Sequence, residues 1–218
     1  MSGKEQLFEV SLEREGAYRS ISAALEAAER CVPDATVPVR VLVAPGEYRE
    51  RVEIRRPHVT LEGETADSVR IVGGLGAKMP SEDGSCQDGR LGTFRTYTVL
   101  VDADDVTLAG LTIENNAGDG REVGQAIALY ADGDRLVVDA CCIKGHQDTL
   151  FLGPLPPREA KPGGFIGPSS SPRAAWGGSI FDVAGSRAMS TLSLAARVPT
   201  LRGVRFARST AIWMSTGM

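Results

Sequence analysis

From Val37 onward the chain is built of short apolar runs of three to five residues, broken by Gly, Pro and Asp. The runs are Val39–Val43, Val52–Ile54, Val59–Leu61, Val69–Val72, Thr98–Val101, Val106–Leu108, Leu111–Ile113, Ile127–Tyr130, Leu136–Val138 and Thr149–Phe151, and they carry the β-branched residues that strands favour. No helical stretch separates them. That excludes a doubly wound α/β sheet, whose parallel strands need crossovers of about a dozen residues. Two architectures survive: an antiparallel sandwich joined by hairpins, and a parallel β-helix whose coils are two or three short strands joined by tight bends. The phrases Val59-Thr60-Leu61-Glu62-Gly63, Val106-Thr107-Leu108-Ala109-Gly110 and Val137-Val138-Asp139-Ala140 read as equivalent strands of successive coils, which selects the all-β parallel β-helix. Their uneven spacing requires inserted loops, of which Gly73–Thr93 is the clearest. Upstream, Ile21, Ala24, Leu25 and Ala28 fall at helical spacing within Ala17–Cys31, with Ser20 or Ser22 as cap, so one helix is expected to close the open N-terminal end of the solenoid.

Charge narrows the partners. The chain has 24 Lys and Arg against 28 Asp and Glu, a net charge of −4, which offers no basic face for nucleic acid or an anionic membrane. No apolar stretch is long enough to span a bilayer, and Met1 to Glu15 lack the pattern of a secretory leader. A monomeric, cytoplasmic protein is the expectation. Four cysteines (Cys31, Cys86, Cys141, Cys142) lack metal-ligand spacing and read as reduced thiols, buried or incidental. With His58 and His146 the only histidines, a histidine-rich metal site is excluded and a Ser-His-Asp triad is disfavoured.

Two segments stand apart: Gly124-Gln125-Ala126-Ile127-Ala128-Leu129 and Gly145-His146-Gln147-Asp148-Thr149-Leu150-Phe151. They place one acid and two amides at the starts of β-runs. Together with Gly46-Glu47-Tyr48-Arg49-Glu50 before Val52 and Ile54, Thr93-Phe94-Arg95-Thr96, and Thr112-Ile113-Glu114-Asn115, in that order and spacing, the stretch from Ala17 to Pro168 resembles the pectinesterases (pectin methylesterases). The resemblance implies a right-handed parallel β-helix that hydrolyses methyl esters of galacturonate in pectin or methylated oligogalacturonides, with no metal and no cofactor. It implies Asp148 as the acid/base, Gln147 and Gln125 as the amides that stabilise a tetrahedral oxyanion, and Thr93 with Gln125 as substrate contacts.

The chemistry suits these residue types. De-esterification needs a nucleophile, a proton for the departing methoxide and donors for the developing oxyanion. One carboxylate can attack while a second, protonated carboxyl donates, because two close acids split their pKa values. Amide donors suit the oxyanion, and removing one such donor lowers the rate by about a hundredfold or more.

Plainer readings stand beside these. An Asp ahead of Thr-Leu-Phe is a common turn residue, and stacked glutamines in a solenoid can form a mere ladder. His146, at a position where the family carries an aromatic residue, is read as packing. Gly73-Gly74-Leu75-Gly76 lacks the Lys and following helix of a phosphate loop. Trp176 and Trp213 lie in surroundings that do not suit sugar platforms.

Those surroundings change at Ser169. The family pattern continues with Gly-Arg-Gln-Tyr-Phe and Val-Asp-Phe-Ile-Phe-Gly, whose Asp is the nucleophile, and neither phrase follows here. The solenoid cadence fades, and Asp182 is the single acid after Pro168. Codons compatible with Ala188–Ala196 nevertheless contain, one base out of register, a reading Asp-Val-Asp-Phe-Ile-Phe-Gly-Ser. Residues 1–168 are therefore expected to form a partial β-helix, incomplete at its C-terminal end, and residues 169–218 an out-of-frame tail that packs poorly. Three functional readings follow: an esterase by descent impaired by loss of its nucleophile, an active esterase using Asp182, and a non-catalytic oligogalacturonide-binding β-helix. The first is favoured.

Overall fold

A computed structural model of the chain describes residues 4–81, 89–153 and 182–184. The named strands pair in parallel and stack in three sheets. The first sheet runs in the order β1 (Gln6–Val10), β2 (Val39–Val43), β5 (Val59–Gly63), β8 (Thr107–Ala109), β11 (Val137–Asp139) and β14 (Asp182–Ala184). The second stacks β3 (Gly46–Tyr48), β6 (Val69–Gly73), β9 (Thr112–Asn115) and β12 (Cys142–Lys144). The third stacks β4 (Val52–Ile54), β7 (Val99–Val101), β10 (Leu129–Ala131) and β13 (Leu150–Leu152). Each coil visits the three sheets in turn, and the chain is a parallel β-helix.

The repeated phrases stack as their pattern predicts. Leu61 lies in register with Leu108, and Leu108 with Val138. Alternation sends these side chains inward with Val39, Val41, Val52, Ile54, Ile71, Val99, Val101, Ile113 and Leu129 into one continuous core. Burying each such side chain contributes about 1.5–3 kcal/mol. The phrases close on tight bends: Gly110 and Ala140 both take left-handed backbone, at φ 61° and 49°. A Cβ at Gly63 would stand 2.6 Å from the carbonyl oxygen of Gly110, so the coils approach too closely there for any side chain. At the opposite corner His58, Asp105 and Arg135 repeat the left-handed turn, with φ of 56°, 57° and 55°, and the Arg135 guanidinium grips Asp105 one coil below.

Three strands escape the sequence pattern. Gly46–Tyr48 buries only Tyr48, Cys142–Lys144 is half-buried throughout, and Gln6–Val10 exposes Leu7. Beyond Gly73, which ends β6, the insertion up to Thr93 carries none of the named strands among its described residues.

Helix α1 (Ile21–Cys31) starts after Ser20, one of the two expected caps: its Oγ accepts from the Ala23 N–H at 3.1 Å. A second cap comes from the distant bend between β3 and β4. The Glu50 carboxylate accepts from the N–H groups of Ile21 and Ser22, at 2.8 and 2.9 Å, and from the Ser22 hydroxyl at 2.6 Å. A negative charge is favoured at a helix start. Ile21, Ala24, Leu25 and Ala28 enter the core, and α1 covers the first coil against β1, β2 and β4. Replacing Glu50 by Ala strands these donors and is expected to destabilise the fold by about 2 kcal/mol, the worth of hydrogen bonds to a charged group. Urea melts measure this; a loss below about 0.5 kcal/mol would mean that the helix is held by its apolar face alone.

Candidate functional site

The four residues singled out in the sequence stand at one station of three successive coils, just upstream of adjacent strands. Thr93 opens a 3-10 turn (Thr93–Arg95) ahead of β7, Gln125 precedes β10, and Gln147-Asp148 precede β13. Leu129 is in register with Val99 on one side and Leu150 on the other. The pairing continues past the strands into the site: Ala126 N–H donates to the Gln147 carbonyl at 2.9 Å, and Ala128 N–H to the Thr149 carbonyl at 2.9 Å. The Thr93 hydroxyl donates to Gln125 Oε1 at 3.3 Å. That contact takes the amide oxygen, leaving the NH2 of Gln125 as the end able to serve an oxyanion.

Below the surface, Asn115 and Thr96 fasten these segments together. Asn115 is fully buried, and its Nδ2 reaches the carbonyl oxygens of Thr96 (2.8 Å), Ile127 (3.0 Å) and Leu75 (3.0 Å), while its Oδ1 accepts from Ala117 N–H. The Thr96 hydroxyl donates to the Thr93 carbonyl at 2.7 Å and accepts from Ile127 N–H at 3.0 Å. Thr93 and Gln125 are thus tied through the backbones beside them. The Gly73–Thr93 insertion adds a further tie, from Ala77 N–H to the Gln125 carbonyl at 2.9 Å.

Gln147 is exposed and lies directly over Gly120 at the start of α2 (Gly120–Val123), a helix that sequence patterning misses. A Cβ at Gly120 would sit 2.9 Å from the Gln147 Cβ. Asp119 caps α2, accepting from Arg121 N–H at 2.8 Å, and its carboxylate also holds the Arg121 guanidinium at 2.6 Å. These hydrogen bonds, with a smaller contribution from the charge of His146, hold the Asp119 carboxyl below its ordinary value. Asp119, Gly120, Arg121, His146 and Gln147 line an open pocket of about 310 Å³. His146, read as packing, is exposed at its rim instead, because the bend ahead of β13 turns it outward. Asp148 is half-buried with left-handed backbone at φ 59°. It is a turn residue, as the plain reading held, and that turn stands at the site; Asp tolerates this conformation better than most side chains.

An aromatic layer on the outer face of the third sheet joins the same three coils. Phe151 meets Tyr130 at 4.7 Å and Phe94 at 5.1 Å between ring centres, and Tyr97 meets Tyr130 at 6.3 Å. Tyr97 donates to Glu53 at 2.6 Å, under the Arg51 guanidinium 4.4 Å from its ring. Burial, and then the Glu53 bond, push the Tyr97 phenol up to about 12. Burial works to raise the Glu53 carboxyl, but hydrogen bonds from Tyr97 and Arg55, with the charges of Arg55 and Arg51, outweigh it and hold the group below its ordinary value.

Asp182 does not join this site. It opens β14, in register with Val137 in the first sheet, whereas Asp148 enters the third. Trp176 and Trp213 lie outside the described residues. Cys31 is exposed, Cys141 buried and Cys142 half-buried, all as free thiols. Among the described residues, no group of three or more His, Cys, Asp or Glu side chains could hold a metal ion, and no helix is long and apolar enough to cross a membrane.

The model of the Pectinesterase family matches residues 8–154. The chain is 35% identical over 140 residues to the probable pectinesterase/pectinesterase inhibitor 23 of Arabidopsis thaliana, covering 63% of this chain and 22% of that protein. It is 32% identical over 145 residues to a Petunia integrifolia pectinesterase, covering 66% and 35%. The chain thus spans between a fifth and two fifths of the length of such relatives. Among solved structures it is similar to a pectin methylesterase in complex with a hexasaccharide (27% identity, TM-score 0.60, 66% of this chain and 45% of that one) and to the pectin methylesterase of Yersinia enterocolitica (27%, TM-score 0.56, 81% and 49%).

Two variants test the geometry. Gly120→Ala is expected to displace Gln147, shifting its side-chain amide signals in NMR at a stability cost of about 1 kcal/mol or less, since the exposed chain can move aside; unchanged signals would mean that Gln147 does not rest on Gly120. Tyr97→Phe removes a donor to Glu53. The stabilisation from Glu53 is present above its unfolded value of 4.5 and lost as pH falls through the lower folded value. The variant should therefore be less stable at neutral pH by about 1.5 kcal/mol and should lose less on acidification than the wild type. Melts between about pH 3 and pH 7 span that window, and parallel curves would contradict the pairing.

Proposed function

This chain belongs to the pectinesterase family, and from that premise we propose that its coils are the acid and oxyanion portion of a carboxylic ester hydrolase acting on methyl esters of galacturonate residues in pectin or its oligomers. The observation that carries this reading is the alignment of Thr93, Gln125 and Gln147-Asp148 on three successive coils, with Gln147 open to solvent. The ester carbonyl faces the two amide NH2 groups, which stabilise the tetrahedral oxyanion. Asp148 protonates the departing methoxide, released as methanol, and then accepts a proton from the attacking water. Thr93 orients Gln125 and meets the sugar.

The attacking carboxylate is the weak point. In the resembled family it lies beyond the matched region, within Val-Asp-Phe-Ile-Phe-Gly, and this chain carries a different sequence there. Asp119 is no substitute, because a carboxylate already bound by a guanidinium and a backbone N–H is a poor nucleophile. The chain is accordingly impaired: it recognises the ester without turning it over. The out-of-frame character of residues 169–218 supplies the cause.

Methanol release from methylated pectin is expected to stay at background for the wild type and for Asp182→Asn alike. Restoring the frame in the codons from Pro168 to Trp176 should bring turnover, which Asp148→Asn then lowers by about a hundredfold or more. Turnover by the present chain that Asp182→Asn abolishes would overturn the assignment, as would codons that restore no family motif in the other frame.

A further inference from the structure

We propose that Met79 is a modification site: a peroxide converts its thioether to the sulfoxide, and the change loosens the hold of the Gly73–Thr93 insertion on Gln125. What that hold is worth to ester recognition rests on the function just proposed; the site itself does not. Met79 is the one methionine among the described residues, and it is only half-buried, so a small oxidant reaches it from solvent.

The sulfur has a structural task. Sδ accepts from the Gly76 N–H at 3.3 Å, and the Met79 N–H donates to the Gly76 carbonyl at 3.0 Å, so the turn Gly76–Met79 is closed from both ends. The two residues inside that turn grip the site. Ala77 N–H donates to the Gln125 carbonyl and Lys78 N–H to the Val123 carbonyl, both at 2.9 Å. The other limb of the insertion braces the turn, with Leu91 N–H on the Met79 carbonyl at 2.8 Å and Gly92 N–H on the Ala77 carbonyl at 3.0 Å. Gly76 is buried and hemmed in, since a Cβ there would stand 2.6 Å from the Val123 carbonyl oxygen.

Oxidation disturbs this arrangement. The sulfur attacks one oxygen of the peroxide and the O–O bond breaks. The sulfur gives up two electrons and keeps that oxygen, whose proton passes to the departing hydroxide, released as water. A thioether is apolar, soft and a weak acceptor, whereas the sulfoxide is polar and chiral. Its oxygen extends a bond length beyond a sulfur already in contact with the Gly76 N–H, and Gly76 has no space to retreat. Met79 therefore swings outward to hydrate the new group, and the turn that presents Ala77 to Gln125 opens with it.

The test is amide hydrogen exchange of the full chain before and after hydrogen peroxide, with peptide mass mapping to follow Met79. Oxidation is expected to raise exchange at the Ala77 amide by about fivefold, the worth of one backbone hydrogen bond, and methionine sulfoxide reductases should restore the original rate. In Met79→Leu, which has no sulfur at this position but keeps every cysteine, the same treatment should leave Ala77 unchanged. Met79→Gln, polar and unbranched like the sulfoxide, should exchange faster without peroxide. Conversion of Met79 with Ala77 unaffected, an equal response in Met79→Leu, or a Met79 that peroxide leaves unmodified overturns the assignment. The readout is exchange rather than methanol release, so failure here and failure of the proposed function are separate results.

Discussion

The parallel register linking β7, β10 and β13 is the constraint on which the rest depends. Because Val99, Leu129 and Leu150 stack one above another, the residues upstream of each strand arrive at the same height on consecutive coils. Side chains far apart in sequence then meet without a helix or a long loop to aim them. A slip of one residue would invert every inward side chain of the shifted strand, moving Leu129 and Ala131 into the outer aromatic layer and forcing the Tyr130 ring and hydroxyl into the solenoid interior. The apolar interior thus enforces the register, and the register assembles the site. Asn115 and Thr96 extend that order beyond the strand ends, satisfying carbonyl groups that the ladder leaves behind.

Much of this was legible in the residues. Inward positions such as Val39, Val41 and Leu61 alternate with polar neighbours, and recurrence of one phrase in three coils identified the first sheet. The absence of crossover helices excluded the main competitor. What stayed hidden had physical reasons. Gly46–Tyr48 and Cys142–Lys144 bury too little to show a pattern, and their pairing is supplied by neighbouring coils. Helix α2 is too short for periodicity, so the Asp119–Arg121 pair and the rest of Gln147 on Gly120 emerge only in three dimensions. Glu50 stands in the sequence only as the end of a family motif, yet it caps a helix that begins 29 residues earlier. His146, expected to pack because the family carries an aromatic residue there, is exposed, since the bend ahead of β13 projects it outward.

Gln125, Gln147 and Asp148 stand at the edge of well-packed coils. The first sheet's next strand, β14, brings Asp182 to a different wall of the solenoid from Asp148. In a solenoid each coil contacts only its neighbours and can stay in register when a later one changes.

Amide hydrogen exchange at Ala126 and Ile127 tests the central claim most directly. These two N–H groups lie outside any strand, and their bonds to the Gln147 carbonyl and the Thr96 hydroxyl are what align the site across coils. Protection close to that of the β10 amides is expected, with Thr96→Ala removing it at Ile127 first. Exchange of both at the rate of an unstructured chain would contradict the alignment and the site built on it.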